Sequence, residues 1–264
     1  MTAVAGRLVL VTGASSGIGA AAARLLAARG ARVILLARNQ SALGEAVSDI
    51  RGRGGQAWAY PVDLTDPVAV ERVGAAIARE IGVPDVIVNN AGAGRWLWPE
   101  ETSSAQLVEF TASPYFAAFY VTKAFLVRMV QRGTGQIVNI TSPAGFIAFP
   151  GATAYTVARW AMRGFNEALA VDLRGTGIVV TLVVPALVQS PYIVNNPGTL
   201  ERMPPIAKLY GMLTTDDVAE AILFGIERRK RYVFVPLLLR LTLFLHRLMP
   251  RLVGWVATSS AIRR

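Results

Sequence analysis

The sequence has no cysteine and a single histidine, His246. Disulfides and thiolate metal sites are therefore excluded, and an imidazole-based metal centre has too few ligands to form. Acidic residues are scarce: 17 Asp and Glu against 27 Lys and Arg give a formal net charge of +10. None lies beyond Glu227. No run of 18 uncharged apolar residues occurs, which argues against an ordinary membrane span. Linkers and repeats are also missing from the 264 residues, a length that α/β folds commonly spend on one domain. The first strand-like run begins within a few residues of Met1, leaving no room for a signal peptide, so a cytoplasmic location is expected.

What is present is alternation. Strand-like runs at 7–12, 32–37, 56–62, 85–89, 135–141, 178–184 and 232–236 are separated by amphipathic helical stretches. Parallel neighbours need crossover connections, so this order predicts a doubly wound parallel sheet of about seven strands with helices on both faces. Ligands of such folds bind outside the carboxyl ends of the strands, where strand order reverses. After the first run comes Gly13-Ala14-Ser15-Ser16-Gly17-Ile18-Gly19 and then an alanine- and leucine-rich helix. Gly13 permits a tight turn, Gly17 lets backbone approach a pyrophosphate, and Gly19 lets the helix pack close on the strand. A glycine turn between strand and helix aims the first helical amides at an anion.

Thr12-Gly13-Ala14-Ser15-Ser16-Gly17-Ile18-Gly19 resembles the TGxxxGxG cofactor motif of the short-chain dehydrogenase/reductase family, and Asn89-Asn90-Ala91-Gly92 resembles its NNAG motif. Ser142 and Tyr155 keep the family's spacing, and Pro185 to Ser190 is similar to its PGxxxT segment, with Ala186 in the glycine's place. The resemblance runs from about residue 5 to 236. It implies a Rossmann-type catalytic domain over residues 1–236, with a substrate lid at 191–213. It also implies that Tyr155 exchanges a proton with a carbonyl or alcohol oxygen, that Ser142 orients that oxygen, and that Ser190 meets the nicotinamide carboxamide. Cofactor contacts are implied at Gly13, Ser15, Ser16, Gly17, Ile18, Gly19, Asn90, Ala91, Gly92, Tyr155, Arg159, Pro185 and Val188, and an adenine contact at Asp63.

Two positions depart from the family. Arg159 stands where a lysine binds the nicotinamide ribose four residues after the tyrosine, on the same helical face. A cation about 4 Å away contributes roughly 4 kcal/mol at an effective dielectric of ~20, which an arginine can supply. Guanidinium never deprotonates, so a lysine-style proton relay through it is closed. Pro114 stands where an asparagine holds a relay water at a helix kink. Proline preserves a kink but not the amide, and Ser113 substitutes only if the helix is locally rotated.

At the end of the second strand Ala37-Arg38-Asn39 offers no carboxylate to a ribose 2′-hydroxyl, while Arg38 can pair with a 2′-phosphate; the expected cofactor is NADP(H). Trp96, Leu97 and Trp98, then Phe146, Ile147 and Phe149, then Leu187, Tyr192 and Ile193 follow strand ends and, with Pro114, are candidates for an apolar substrate pocket or for packing.

The tail, 237–264, carries its own signal. Nine of the chain's Lys and Arg lie beyond Glu227: Arg228, Arg229, Lys230, Arg231, Arg240, Arg247, Arg251, Arg263 and Arg264. From Leu237 to Trp255 the arginines fall on one helical stripe against leucine, phenylalanine and tryptophan. A basic amphipathic C-terminal helix of this kind suits a membrane surface, a pocket lid or a second subunit. The charge sits beside leucines rather than in a polar groove, which disfavours nucleic acid. The leading expectation is an NADP(H)-dependent oxidoreductase of a hydrophobic ketone or alcohol, working as a homodimer or homotetramer. Non-redox acid/base chemistry on the same frame and a catalytically silent cofactor-binding protein remain the alternatives.

Overall fold

The computed structural model describes residues 4–196, 199–203 and 205–258. Within the expected lid, Pro197, Gly198 and Pro204 lie outside the described residues, as do Arg263 and Arg264 of the tail.

Seven parallel strands form one sheet: β1 Leu8–Thr12, β2 Arg32–Ala37, β3 Gln56–Pro61, β4 Val86–Asn89, β5 Gly135–Ile140, β6 Ile178–Pro185 and β7 Tyr232–Val235, in the order β3-β2-β1-β4-β5-β6-β7. The connecting helices are α1 Gly17–Ala28, α2 Gln40–Gly52, α3 Pro67–Glu80, α4 Ser104–Thr111, α5 Ala117–Arg132, α6 Thr153–Asp172, the short α7 Pro191–Asn195 and α8 Thr199–Arg202, and α9 Thr215–Glu227. Helices α10 Leu237–Leu248 and α11 Pro250–Thr258 follow the last strand.

The apolar runs are continuous because both faces of the sheet are buried. Val9, Val11, Val33 and Leu35 pack with α1, α2 and α9, while Leu8, Leu10, Ile34 and Leu36 pack with α3, α5 and α6. This is the period-two alternation of a strand. The chain winds outward from β1 to β3, then returns to lay β4 on the other side of β1. A crevice therefore opens at the carboxyl ends of β1 and β4. Thr12 ties the two ends together: its hydroxyl accepts from the Asn90 and Ala91 amides, each at 2.9 Å. Behind them a buried chain of side chains fixes the neighbouring elements. Asn89 Nδ2 donates to Thr122 Oγ1 and Asn139 Oδ1, and Asn139 Nδ2 donates to Asn166 Oδ1.

The expected C-terminal helix is present, but it is broken into two. Met249 leaves the helical region at φ −131°, ψ 64°. Pro250 opens α11, since it has no N–H for the preceding ladder and restricts the residue before it. Arg240 and Arg247 therefore share α10, while Arg251 belongs to α11. The run Arg228 to Arg231 is not part of this element at all. It precedes β7, at the opposite end of that strand, where Arg231 pairs with Glu167 at 2.6 Å and the Arg229 guanidinium donates to the Gly177 carbonyl. Leu239 and Leu243 of α10 and Val253 of α11 bury against Ile147, Leu182 and Val184. Each buried leucine contributes about 1.5–3 kcal/mol, enough to seat α10 on the sheet.

Candidate active site

A cavity of about 870 Å³ occupies the crevice at the strand ends. Its floor is the glycine turn. Gly13 and Gly17 adopt φ 64° and 55°, a region that other residues resist. Gly19 does not line the cavity but sits behind the turn, where a Cβ would lie 2.3 Å from the Gly13 carbonyl oxygen. Ser16 precedes α1 without capping it through its side chain, so the first amides of the helix stay open to an anion. Ser15, Ser16, Ile18, Asn90, Ala91 and Gly92 complete this end of the wall.

Arg38 and Asp63 line the same cavity at the ends of β2 and β3. The Thr65 amide and hydroxyl donate to Asp63 Oδ1 at 2.9 and 2.8 Å. These bonds, with the nearby Arg38 charge adding to them, hold the Asp63 carboxyl below its ordinary value. Asn39 also lines the cavity and caps α2 by accepting from the Ala42 amide at 3.1 Å.

At the other end, Ser142, Tyr155 and Arg159 line one wall. Ser142 ends the segment after β5 and accepts from the Ala144 amide at 3.2 Å, which leaves its own O–H available to donate. Tyr155 is buried, its ring 6.1 Å from Trp96 and 6.2 Å from Tyr192, while Trp96 stacks on Phe149 at 5.8 Å. The Arg159 guanidinium lies 4.8 Å over the Tyr155 ring. A Cβ at Gly92 would come within 3.2 Å of both terminal guanidinium nitrogens, so a glycine there makes room for the arginine. Arg159 Nε is buried without a hydrogen-bond partner. A buried cation left in that state is costly, which fits a ligand rich in oxygen. Burial first, and then the neighbouring Tyr155, push the Tyr192 phenol above its ordinary value, so Tyr192 is a neutral hydroxyl in this wall. The open helix end, the glycine cradle and the orphaned Nε together fit a dinucleotide cofactor.

Pro185 at the end of β6, with Leu187, Val188 and Ser190 after it, runs along the cavity, and Ile147 faces it. Five of the expected pocket residues do not. Phe146 turns away because the 3-10 turn Pro143–Gly145 directs it toward β7, where its ring meets Phe234 at 6.0 Å and the Arg163 guanidinium at 4.1 Å. Pro114 is buried off the cavity wall, inside a π-helical turn spanning Ala112–Phe116. The Ala117 amide there reaches back five residues to the Ala112 carbonyl. A widened turn accommodates the missing proline N–H and rotates Ala112 and Ser113 into the cavity instead. Leu97, Trp98 and Ile193 also lie off the wall.

Several wall residues were not singled out by the sequence. Gly94 has φ +141° and lies against the Tyr155 ring; the Gly92-Ala93-Gly94 repeat was the available hint. Val108 and Glu109 of α4, Met203, Tyr210, and Leu239 and Thr242 of α10 reach the cavity from distant parts of the chain. No group of three or more metal-ligating side chains occurs among the described residues.

Residues 7–199 match the family model described as short chain dehydrogenase. A probable oxidoreductase, EphD, of Mycobacterium tuberculosis is 32% identical over 238 residues, covering 84% of this chain and 40% of the relative. The chain thus spans less than half the length of that protein. Human 17-beta-hydroxysteroid dehydrogenase 13 is 30% identical over 253 residues, covering 94% of this chain and 80% of the relative. Among solved structures, a short-chain dehydrogenase from Sphingobium yanoikuyae in complex with NADPH superposes with a TM-score of 0.79 at 27% identity, covering 98% of this chain and 97% of that one. With the family model matching well over half of its residues and relatives aligned across most of its length, the chain belongs to the short-chain dehydrogenase family.

Proposed function

We propose that the protein is an NADP(H)-dependent oxidoreductase that interconverts a hydrophobic ketone or aldehyde and its alcohol. The observation that carries the reading is the convergence of the glycine turn, Ser142, Tyr155 and Arg159 on one cavity. When bound, the nicotinamide supplies or takes up the hydride. Tyr155 gives its phenolic proton to the carbonyl oxygen in reduction and removes a proton in oxidation. Ser142, its oxygen already accepting from Ala144, donates its O–H to the same oxygen and orients it. Arg159 holds the ribose and keeps a fixed positive charge beside Tyr155. It cannot pass a proton, so reprotonation of Tyr155 falls to hydroxyls such as Ser113 and Tyr192 and to cavity water.

The substrate half of the cavity is apolar, with Trp96, Phe149, Leu187, Met203 and Leu239 in its wall, and a human relative named for a hydroxysteroid supports a hydrophobic substrate. Arg38 and the missing carboxylate after β2 support NADP(H), as does the NADPH complex of a structural neighbour. Exposed Phe119 and Val127 of α5 with Val157 and Trp160 of α6 suit contact with a second copy in a homodimer or homotetramer.

The test is consumption of NADPH, followed by absorbance, across hydrophobic aldehydes, ketones and secondary alcohols. Cofactor binding with no consumption on any of them overturns the reading. Arg159 in place of lysine favours one competitor, acid/base chemistry without redox, which turns a substrate over while the NADPH signal stays constant. Cofactor choice is tested separately: Arg38→Asp should weaken NADPH binding by about 10- to 100-fold, the range for losing a charge-assisted pair and gaining repulsion, and leave NADH binding equal or better. Tighter NADH than NADPH binding by the unaltered protein would contradict this assignment.

A further inference from the structure

Helix α10 has two apolar faces. Its inner face carries Leu239 and Leu243 into the core and sets Leu239 and Thr242 in the cavity wall. Its outer face is a stripe of Leu237, Leu241, Phe244 and Leu248, continued on α11 by Leu252 and Trp255; these side chains are 52–73% exposed. Positions 237, 241, 244 and 248 advance by four, three and four, so they stack on one side of the helix, with Arg240 and Arg247 along one edge. Arg251 stands where α11 begins.

We infer that the outer face of α10 and α11 docks on an anionic lipid surface. Charge selects this occupant. Every charged side chain from Arg228 onward is basic, so the face offers cations and no carboxylate. A second copy would bring the same arginines together with nothing to pair them, because a two-fold contact opposes a patch to itself. Phosphate headgroups pair with arginine, and leucine, phenylalanine and tryptophan enter the headgroup and acyl boundary. The helices lie on the surface rather than across it: α10 has 12 residues, about 18 Å at ~1.5 Å per residue. No helix among the described residues is long and apolar enough to span. The docked helix is also a wall of the cavity. If the oxidoreductase reading holds, a bilayer-dissolved substrate enters past Leu239 and Thr242, separated from the lipid by this one helix.

Flotation tests the docking without cofactor or turnover, so its failure and that of the oxidoreductase reading are separable. The full chain is floated with vesicles of phosphatidylcholine alone or mixed with phosphatidylglycerol, at low and high salt. Affinity for the mixed vesicles at low salt should exceed that for neutral ones by on the order of 100-fold, given three exposed arginines, and high salt should erase the difference. Leu241→Asp with Phe244→Asp and Leu252→Asp should abolish flotation, with unchanged thermal unfolding and NADPH binding, because the altered side chains point outward. Substitution is preferable to deleting the tail, which would uncover the core beneath Leu239 and Leu243. The inference is overturned if the unaltered chain fails to float on anionic vesicles, floats equally on neutral ones, or floats undiminished in the triple variant. A triple variant that instead converts a dimer to a monomer, in a chain that never floats, would assign the face to a second copy.

Discussion

Tyr155→Phe is expected to lower turnover of hydrophobic carbonyls with NADPH by about 10²- to 10⁴-fold, the usual contribution of a positioned acid/base group. The substitution is conservative for everything except the proton. Phenylalanine keeps the ring between the Arg159 guanidinium at 4.8 Å and Trp96 at 6.1 Å, so the wall that faces the cofactor should be unaltered. Fold stability should change by no more than about 1 kcal/mol, the net value of a typical hydrogen bond. NADPH binding, measured by fluorescence titration, should stay near that of the parent. A variant that binds and oxidises NADPH at the parent rate would remove Tyr155 from the chemistry. A parent whose product forms without loss of NADPH, with Tyr155→Phe inactive, would transfer the same residue to acid/base chemistry without redox.

The framework was legible in the sequence because its determinants are local. An apolar run of four to eight residues, a glycine turn and a following helix are each set by neighbours in the chain, and all seven strands lie where the runs predicted them. Which side chains face the cavity depends on rotation, and rotation is decided by features no single residue announces. Pro114 signals a kink, but a kinked α-turn and a π-turn differ by one residue in register, and only the latter swings Ser113 inward. Phe146 and Ile147 are adjacent and similarly apolar, yet the 3-10 turn sends one to Phe234 and the other to the cavity. The break at Met249–Pro250 was legible in principle, since proline opens helices, but the spacing of the arginines suggested one continuous stripe. The wall supplied by α10 was legible only as one of three uses of an amphipathic basic helix, because a membrane surface, a pocket lid and a second subunit all suit the same pattern. It lies roughly a hundred residues beyond Ser142, and only the docking of Leu239 and Leu243 on β6 brings it to the cavity.

Gly94 is the residue whose importance exists only in three dimensions, and Gly94→Ala is expected to impair the enzyme more than its size suggests. The backbone there has φ +141°, a conformation that L side chains rarely adopt, which alone costs of order 1–3 kcal/mol. The added Cβ would also fall 2.7 Å from Tyr155 Cδ2, inside any tolerated contact. A flexible neighbour could swing aside. The Tyr155 ring cannot do so freely, because Arg159 lies over its face, with Trp96 and Tyr192 close by. Either the 92–94 loop or the ring must therefore move, and a displacement near 1 Å of a reacting group can cost about 10²-fold in rate. The expected outcome is a fall of that size in kcat, with a melting temperature lower by several degrees, roughly 2–4 °C per kcal/mol for a chain of this class. Gly44→Ala supplies the control: Gly44 lies in α2 with nothing within 4 Å of a new Cβ, so turnover should be unaffected and stability should rise by up to about 1 kcal/mol. Parental kcat in Gly94→Ala would mean that the position of the Tyr155 ring is not what sets the rate.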